Sequence, residues 1–444
     1  MRALSTKTYP LAHRLAVTVR VRMTRTVRDV KGSDSFDNGV LRKLLFQLAR
    51  QIKRKPMPVQ DPDQNSSSKP GKGPKELREE VLDAGLCTAC GMCLGLCPYL
   101  EEMGENVAFI SDCRGDQGRC YAVCPRTDTD LDALRGLYVP DRQADFVLGP
   151  HQSIWMARAK KEEVRRTAQY GGTVTALALF GIETGRIDTA LLTDWSRDPE
   201  EPYLPKPLVA RTREEVLSAS GSKYTASPTL KVLDSILKEE AEKALVVGRP
   251  CQVLALRKRM QIEDPTFPRE HIALVIGLFC MWALSYRDFQ KMVAPLTDAK
   301  QPTRIDVPKG RFVVETDEGS VELDHDSVRS HSRRTCQSCY DFTSELADLS
   351  VGSTEWKDDW NTLIVRSEAG RTFLEAAVQQ GWIELEPFPE ERLHLLREAS
   401  FNKKQRVLEQ IEHEAERRGT RPYLRIGQKE REFFLGARGP TVGE

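Results

Sequence analysis

Residues 244–260 read ALVVGRPCQVLALRKRM, and residues 272–282 read IALVIGLFCMW. Ala244 to Val247 is a short apolar run bounded by Gly248 and Pro250, the pattern of a strand buried on both faces. Residues 252–261 change to helical periodicity, and Ile272 to Leu278 is a second apolar strand. Strand, helix and strand in alternation make a β-α-β crossover whose parallel strands lie about 4.8 Å apart. Cys251 and Cys280 each stand just past the carboxyl end of a strand, so this unit carries both thiols to the crevice where open α/β sheets bind ligands. Strand-like segments at Thr189 to Leu192 and Phe312 to Glu315, with helical runs near 173–184 and 228–242, extend the reading to an α/β domain with a largely parallel sheet over 145–385. Further on, Cys336-x2-Cys339 follows Arg333 and Arg334. That pair could close a four-thiolate set with Cys251 and Cys280. The alternatives are small buried side chains for Cys251 and Cys280 and a redox dithiol or zinc pair for Cys336 and Cys339.

Upstream, the run CTACGMCLGLCP (87–98) places Cys87, Cys90, Cys93 and Cys97 in the spacing of a bacterial ferredoxin. Gly91 and Gly95 permit the tight turn that wraps thiolates round a cluster, and Pro98 ends the loop. A zinc knuckle would instead want two separated CxxC pairs. A second copy is degraded: Cys113, Cys120 and Cys124-Pro125 remain, with Gln117 three residues before Cys120 where a ligand is expected. In two-cluster ferredoxins the fourth cysteine of each motif serves the other cluster. Crossing would group Cys87, Cys90, Cys93 and Cys124, leaving Cys97, Cys113 and Cys120 one thiolate short. The other reading leaves Cys113 a buried free thiol and a single cluster here.

The bulk composition narrows the class. A chain of 444 residues with 66 basic and 65 acidic side chains has a net charge of +1, which favours neither a polyanionic nor a strongly acidic partner. Eleven cysteines in ligand-like spacing, with no secretory signal, argue for metal ligation in a reducing, cytoplasmic setting. The longest apolar stretch, Ile272 to Leu284, is too short to span a membrane. Met1 to Arg28 lacks acidic residues and crowds Arg14, Arg20, Arg22, Arg25 and Arg28, compatible with a transit peptide or a docking element. No aromatic interleaving or known module there supports nucleic-acid binding. The expected organisation is a basic N-terminal element (1–55), a Pro/Ser/Gly-rich linker (56–75), a small ferredoxin-like iron–sulfur module (76–135), the α/β domain (145–385), and a charged helical tail (386–444) read as a solvated face or a contact with another subunit.

Two glycine-bearing loops are candidates for a phosphorylated cofactor. Gly171, Gly172 and Thr173 precede the helical run VTALALFGIETG, and a helix N-terminus offers free N–H groups to phosphate. Ser222, Lys223 and Tyr224 add hydroxyl, cation and ring ahead of another helical run. Neither loop matches a dinucleotide fingerprint, and either could be a plain turn.

The segments SGSKYTASP (220–228), GRPCQVLALRK (248–258), GLFCMW (277–282) and CQSCYDFTSELADLSVG (336–352), in that order, resemble the beta subunits of coenzyme F420-dependent hydrogenases and dehydrogenases, a family that includes the plastid 7-hydroxymethyl chlorophyll a reductases. The resemblance runs from about 85 to 385, and 336–352 is its most specific part. It implies an FAD-binding α/β domain with an iron–sulfur cluster beside the flavin, fed by a ferredoxin-like module. Carried over by residue, it makes Cys251, Cys280, Cys336 and Cys339 cluster ligands and places Gly171, Gly172, Thr173, Ser222, Lys223 and Tyr224 along the FAD. It further implies two or three [4Fe-4S] clusters, hydride exchange between FAD and a soluble deazaflavin carrier, and electron transfer to a partner redox subunit or ferredoxin in a hetero-oligomeric complex. The alternatives are an electron-wiring subunit of a hydrogenase or formate dehydrogenase with no substrate of its own, and a ferredoxin-dependent reductase of an organic substrate. No catalytic side chain is identifiable. The departures are Gln117 and residues 1–75, which match nothing in the family.

Overall fold

The computed structural model describes residues 71–436 apart from 140–144, 199, 202, 239–241, 297–303, 309, 317 and 355. The expected basic element and nearly all of the expected linker therefore lie outside the described residues.

Eight strands form the central sheet: β1 Ser153–Ala159, β2 Thr189–Trp195, β3 Pro205–Ala210, β4 Ala244–Gly248, β5 Ile272–Leu278, β6 Leu349–Ser353, β7 Asn361–Val365 and β8 Ile383–Pro387. Their spatial order is β8-β1-β7-β6-β5-β4-β2-β3. Only the middle is parallel, in the pairs β6–β5, β5–β4 and β4–β2. The pairs β8–β1, β1–β7, β7–β6 and β2–β3 are antiparallel. The sheet is thus mixed rather than largely parallel. The cause lies in SIWMARA, which inserts antiparallel between NTLIV and IELEP from far upstream in the chain, and in NTLIV, which turns back beside Leu349–Ser353. Phe312 to Glu315 also leaves this sheet. It belongs to a separate antiparallel three-stranded sheet built from Arg304–Asp306, Arg311–Thr316 and Gly319–Asp324.

Five helices bear on the site: α1 Thr173–Glu183, α2 Pro250–Met260, α3 Glu368–Gln379, α4 Glu390–Arg418 and α5 Gln428–Gly436. The alternation of strand side chains sorts them into two layers. Leu245, Val247, Leu274 and Ile276 point to one face, against Leu177 and Phe180 of α1 and Phe373 of α3. Val246 and Val275 point to the other, against Val253 and Leu256 of α2. The same second layer contains Cys90, Met92 and Val123 of the cysteine-rich segment, and Phe401, Val407, Leu408, Ile411 and Phe434 of the tail.

The tail is therefore docked rather than a solvated face. Full burial of each such side chain is worth about 1.5–3 kcal/mol, enough in sum to hold a charged helix on the sheet. Leu424–Arg425 also pairs in parallel with Thr129–Asp130. A buried charge network seals the seam. Arg135 donates through Nε to Glu345 at 2.9 Å and through Nη2 to Glu430 at 3.0 Å, and Lys404 pairs with Glu345. Charges this deep persist only when paired. Among the described residues no helix is long and apolar enough to cross a membrane.

Candidate redox centre

Cys251 occupies the second position of α2, after Pro250 at the first, where the ring presets helical φ. The side chain of Gln252 accepts from the Arg249 N–H at 2.9 Å and closes the cap. Cys280 lies two residues past β5. Cys336 and Cys339 come from the 3-10 turn Arg334–Ser338 and its end, where the Cys339 N–H donates to the Cys336 carbonyl at 3.2 Å. These four thiols, from three separated segments, line one small cavity.

Cations ring that cavity. The Nη2 of Arg249 is buried without a hydrogen-bond partner. Burial acts to lower its pKa, yet the thiols of Cys251, Cys280, Cys336 and Cys339 hold it above the ordinary value. Lys403 of α4 reaches in and donates to the Cys280 carbonyl at 2.5 Å. Burial pushes the Cys280 thiol up to about 12 against the pull of Lys403 and Arg249. Cys339 moves the other way: burial opposes its ionisation, but Lys403 and Arg126 outweigh it. Four thiols facing an orphaned guanidinium suit a bound anionic metal–thiolate group, in which metal replaces the protons. Among the described residues no three His, Cys, Asp or Glu side chains converge tightly enough for a single ion.

The N-terminal cysteines fall into two further groups. Burial and the Cys124, Cys251 and Cys87 thiols push Cys90 up to about 12. Burial with Cys90, Cys124 and Cys87 raises Cys93 well above the thiol range. Cys120 is pushed up to about 11 by burial, Cys97 and Cys113. The structure thus brings Cys124 to Cys87, Cys90 and Cys93, and Cys97 to Cys113 and Cys120. Gln117 lies against Gly71, whose Cβ, if present, would stand 3.3 Å from the Gln117 amide carbon. The tight turn uses Ala89 (φ 52°) and Gly91 (φ 89°) in the left-handed region, whereas Gly95 does not adopt positive φ. At Gly91 the turn presses on Pro228, whose carbonyl oxygen would lie 2.4 Å from an added Cβ. Lys258 of α2 seals this loop, its Nζ donating to the Cys124 carbonyl at 2.7 Å and the Asp128 carbonyl at 3.0 Å.

The two glycine-bearing loops meet through Gln169. Its Oε1 accepts from the Ser222 N–H at 2.9 Å, and its Nε2 donates to the Tyr224 hydroxyl at 3.0 Å. Thr173 is wholly buried, its N–H given to Asn361 Oδ1 and its hydroxyl to the Ala157 carbonyl. Gly171 is pressed between the Ala157 carbonyl and Asn361, and Gly172 takes φ 70° ahead of α1. Gly171 and Thr173 therefore seat α1 on β1 and β7. Lys223 directs its ammonium to the carbonyls of Ala219, Ser220 and Gly221, and burial lowers its pKa to about 8. Two buried polar atoms here lack partners, Thr225 Oγ1 and Arg304 Nε. Such orphans beside the Ser222–Tyr224 loop fit a polar cofactor edge.

Sequence reading missed Arg126, Arg249, Lys258 and Lys403. Arg126 and Arg249 were within reach, since each sits within two residues of a candidate ligand. Lys403 carried no such signal, being 123 residues from the carbonyl that it meets.

Residues 154–234 match the family model described as coenzyme F420 hydrogenase/dehydrogenase, beta subunit N-term, and residues 241–391 match the companion model for the C terminus of that same beta subunit. The coenzyme F420 hydrogenase subunit beta of Methanococcus voltae is 33% identical over 269 residues, covering 59% of this chain and 95% of that protein. The coenzyme F420-dependent sulfite reductase of Methanocaldococcus jannaschii is 29% identical over 339 residues, covering 73% of this chain and 51% of that protein. Among solved structures, a chain of the xenon-derivatized F420-reducing [NiFe] hydrogenase complex from Methanosarcina barkeri superposes with a TM-score of 0.58 at 29% identity, covering 63% of this chain and 99% of that one.

Proposed function

The chain belongs to the coenzyme F420 hydrogenase/dehydrogenase beta subunit family of oxidoreductases, and we propose that it is an electron-transfer subunit that holds FAD and at least two [4Fe-4S] clusters. The observation that carries this reading is the convergence of Cys251, Cys280, Cys336 and Cys339 in one cavity walled by Arg249 and Lys403. In this assignment those four thiolates hold one cluster, and Cys87, Cys90, Cys93 and Cys124 hold a second. Cys97, Cys113 and Cys120 supply three ligands to a third site. A flavin when bound would exchange a hydride pair and release single electrons, which clusters accept one at a time.

The chain's own groups supply position and charge. Arg249 and Lys403 place positive charge beside the four-thiolate cavity, which favours the more reduced, more negative state there. Lys258 does the same beside Cys124. Gln169 clamps the Ser222–Tyr224 loop to the turn ahead of α1, and Thr225 and Arg304 offer polar atoms to the flavin. The names of the relatives point to coenzyme F420 as the hydride carrier, and the likeness to one chain of a hydrogenase complex favours work as part of a hetero-oligomer.

Iron, acid-labile sulfide and released flavin per chain, measured after anaerobic purification, test the assignment. About eight to twelve irons with one FAD agree with it, the higher figure requiring all three cysteine groups. About four irons and no flavin would sink it.

A further inference from the structure

Arg126 follows Cys124-Pro125 directly, yet its side chain turns away from that loop toward the C-terminal thiols. It is 4% exposed. Its Nε donates to the Thr335 hydroxyl at 3.1 Å and its Nη2 to the Thr335 carbonyl at 3.2 Å, immediately before Cys336. Its Nη1 donates back to the Pro125 carbonyl at 3.2 Å. The guanidinium lies along the wall of the four-thiolate cavity, as does Thr88, the neighbour of Cys87. One planar fork thus spans two cysteine groups, a geometry that the point charge of lysine cannot reproduce.

We propose that Arg126 is one positive charge shared by two iron–sulfur sites, the Cys87, Cys90, Cys93 and Cys124 site and the Cys251, Cys280, Cys336 and Cys339 site, and that it raises the reduction potential of both. This rests on the cluster assignment above. Addition of one electron to either site adds one negative charge and neither makes nor breaks a bond. A shared cation stabilises that charge at both sites, so it moves both potentials in one direction and leaves the gap between them little altered. Arg249 lines the cavity of the second set of thiols and Lys258 holds the loop at Cys124, so these two residues set the gap. Arg126 is a positioning residue: it would decide how readily the relay as a whole is reduced, not which way electrons run inside it.

EPR-monitored potentiometric titration of the anaerobically purified protein reads this directly. In Arg126→Gln both cluster signals should persist, and each should lose about tenfold in its one-electron reduction equilibrium, which is about 59 mV. Arg249→Gln should move one signal alone. A shift of a single signal in Arg126→Gln, or none with both clusters loaded, overturns the sharing. Where Arg126→Gln fails to assemble, Arg126→Lys keeps the charge but cannot bridge Thr335 and Pro125, so both potentials should fall together by a smaller amount. Absence of two cluster signals from the unaltered protein would instead strike the cluster assignment.

Discussion

The ammonium of Lys403 donates to the backbone carbonyl of Cys280 at 2.5 Å and to that of Asp341 at 2.8 Å, so a side chain of the C-terminal helix forms part of the wall of the thiol cavity. The tail is thereby a component of the candidate site. Lys403→Met would keep the aliphatic stem but strip two buried carbonyls of this donor, costing about 1–3 kcal/mol. Urea unfolding should show that loss, and the potential of the cluster on Cys251, Cys280, Cys336 and Cys339 should fall. An unchanged potential would remove Lys403 from the electrostatics of the site.

Glu345 ties the tail to the cysteine-rich segment through Lys404 and Arg135. Burial works against its ionisation, but Arg135 and Lys404 prevail and hold the carboxyl at about 2. With an unfolded value near 4.3, this group contributes stability that is complete above about pH 5 and lost as the pH falls toward the folded value. Its removal in Glu345→Gln strips the buried Lys404 of its carboxylate, while Arg135 keeps Glu430, and should cost about 3–5 kcal/mol at pH 7. The difference in urea midpoint between the two proteins should narrow as the pH is lowered from 6 to 4. A gap independent of pH would refute the linkage.

Gly91 permits the ligand turn in two ways, through its φ of 89° and through its contact with Pro228. Gly91→Ala forces a side chain into the left-handed region at about 1–2 kcal/mol and drives its Cβ into a backbone carbonyl. Iron should be lost from the Cys87, Cys90, Cys93 and Cys124 site while the C-terminal four-thiolate site stays loaded. Gly104→Ala is the control, because φ is 62° there and nothing lies within 4 Å of the new Cβ. It should cost the strain alone and retain all iron.

Thr225 Oγ1 is buried without a partner, so its removal should not destabilise the flavin-free chain. If the hydroxyl instead meets the flavin, Thr225→Val forfeits one hydrogen bond, about 1 kcal/mol or roughly fivefold in affinity. Fluorescence titration of reconstituted flavin measures the second quantity and urea unfolding the first. Unchanged flavin affinity would take Thr225 out of the cofactor site.

The strand, helix and strand around Cys251 and Cys280 were legible because apolar runs and helical periodicity are local properties, and they lie within a residue or two of β4, α2 and β5. The CxxCxxCxxxCP spacing was legible for the same reason. The position of β1 between β7 and β8 was not, since β1 lies far upstream of both of its partners and long-range pairing leaves no local mark. Glycines were read only as permissive. The structure separates Gly91, whose left-handed φ makes the turn, from Gly171, which is needed because the Ala157 carbonyl and Asn361 leave no room for a Cβ.

By itself the sequence determined the cysteine pattern: eleven thiols, their spacing, and the β-α-β unit that carries two of them to the end of a sheet. Tertiary structure alone decided what surrounds those thiols. Lys258 and Lys403 stand in the sequence like any solvated cation, because charge in a sequence is normally at the surface. Their burial depends on carbonyls and thiols contributed by distant segments, and such long-range pairing has no period or spacing by which a sequence could reveal it.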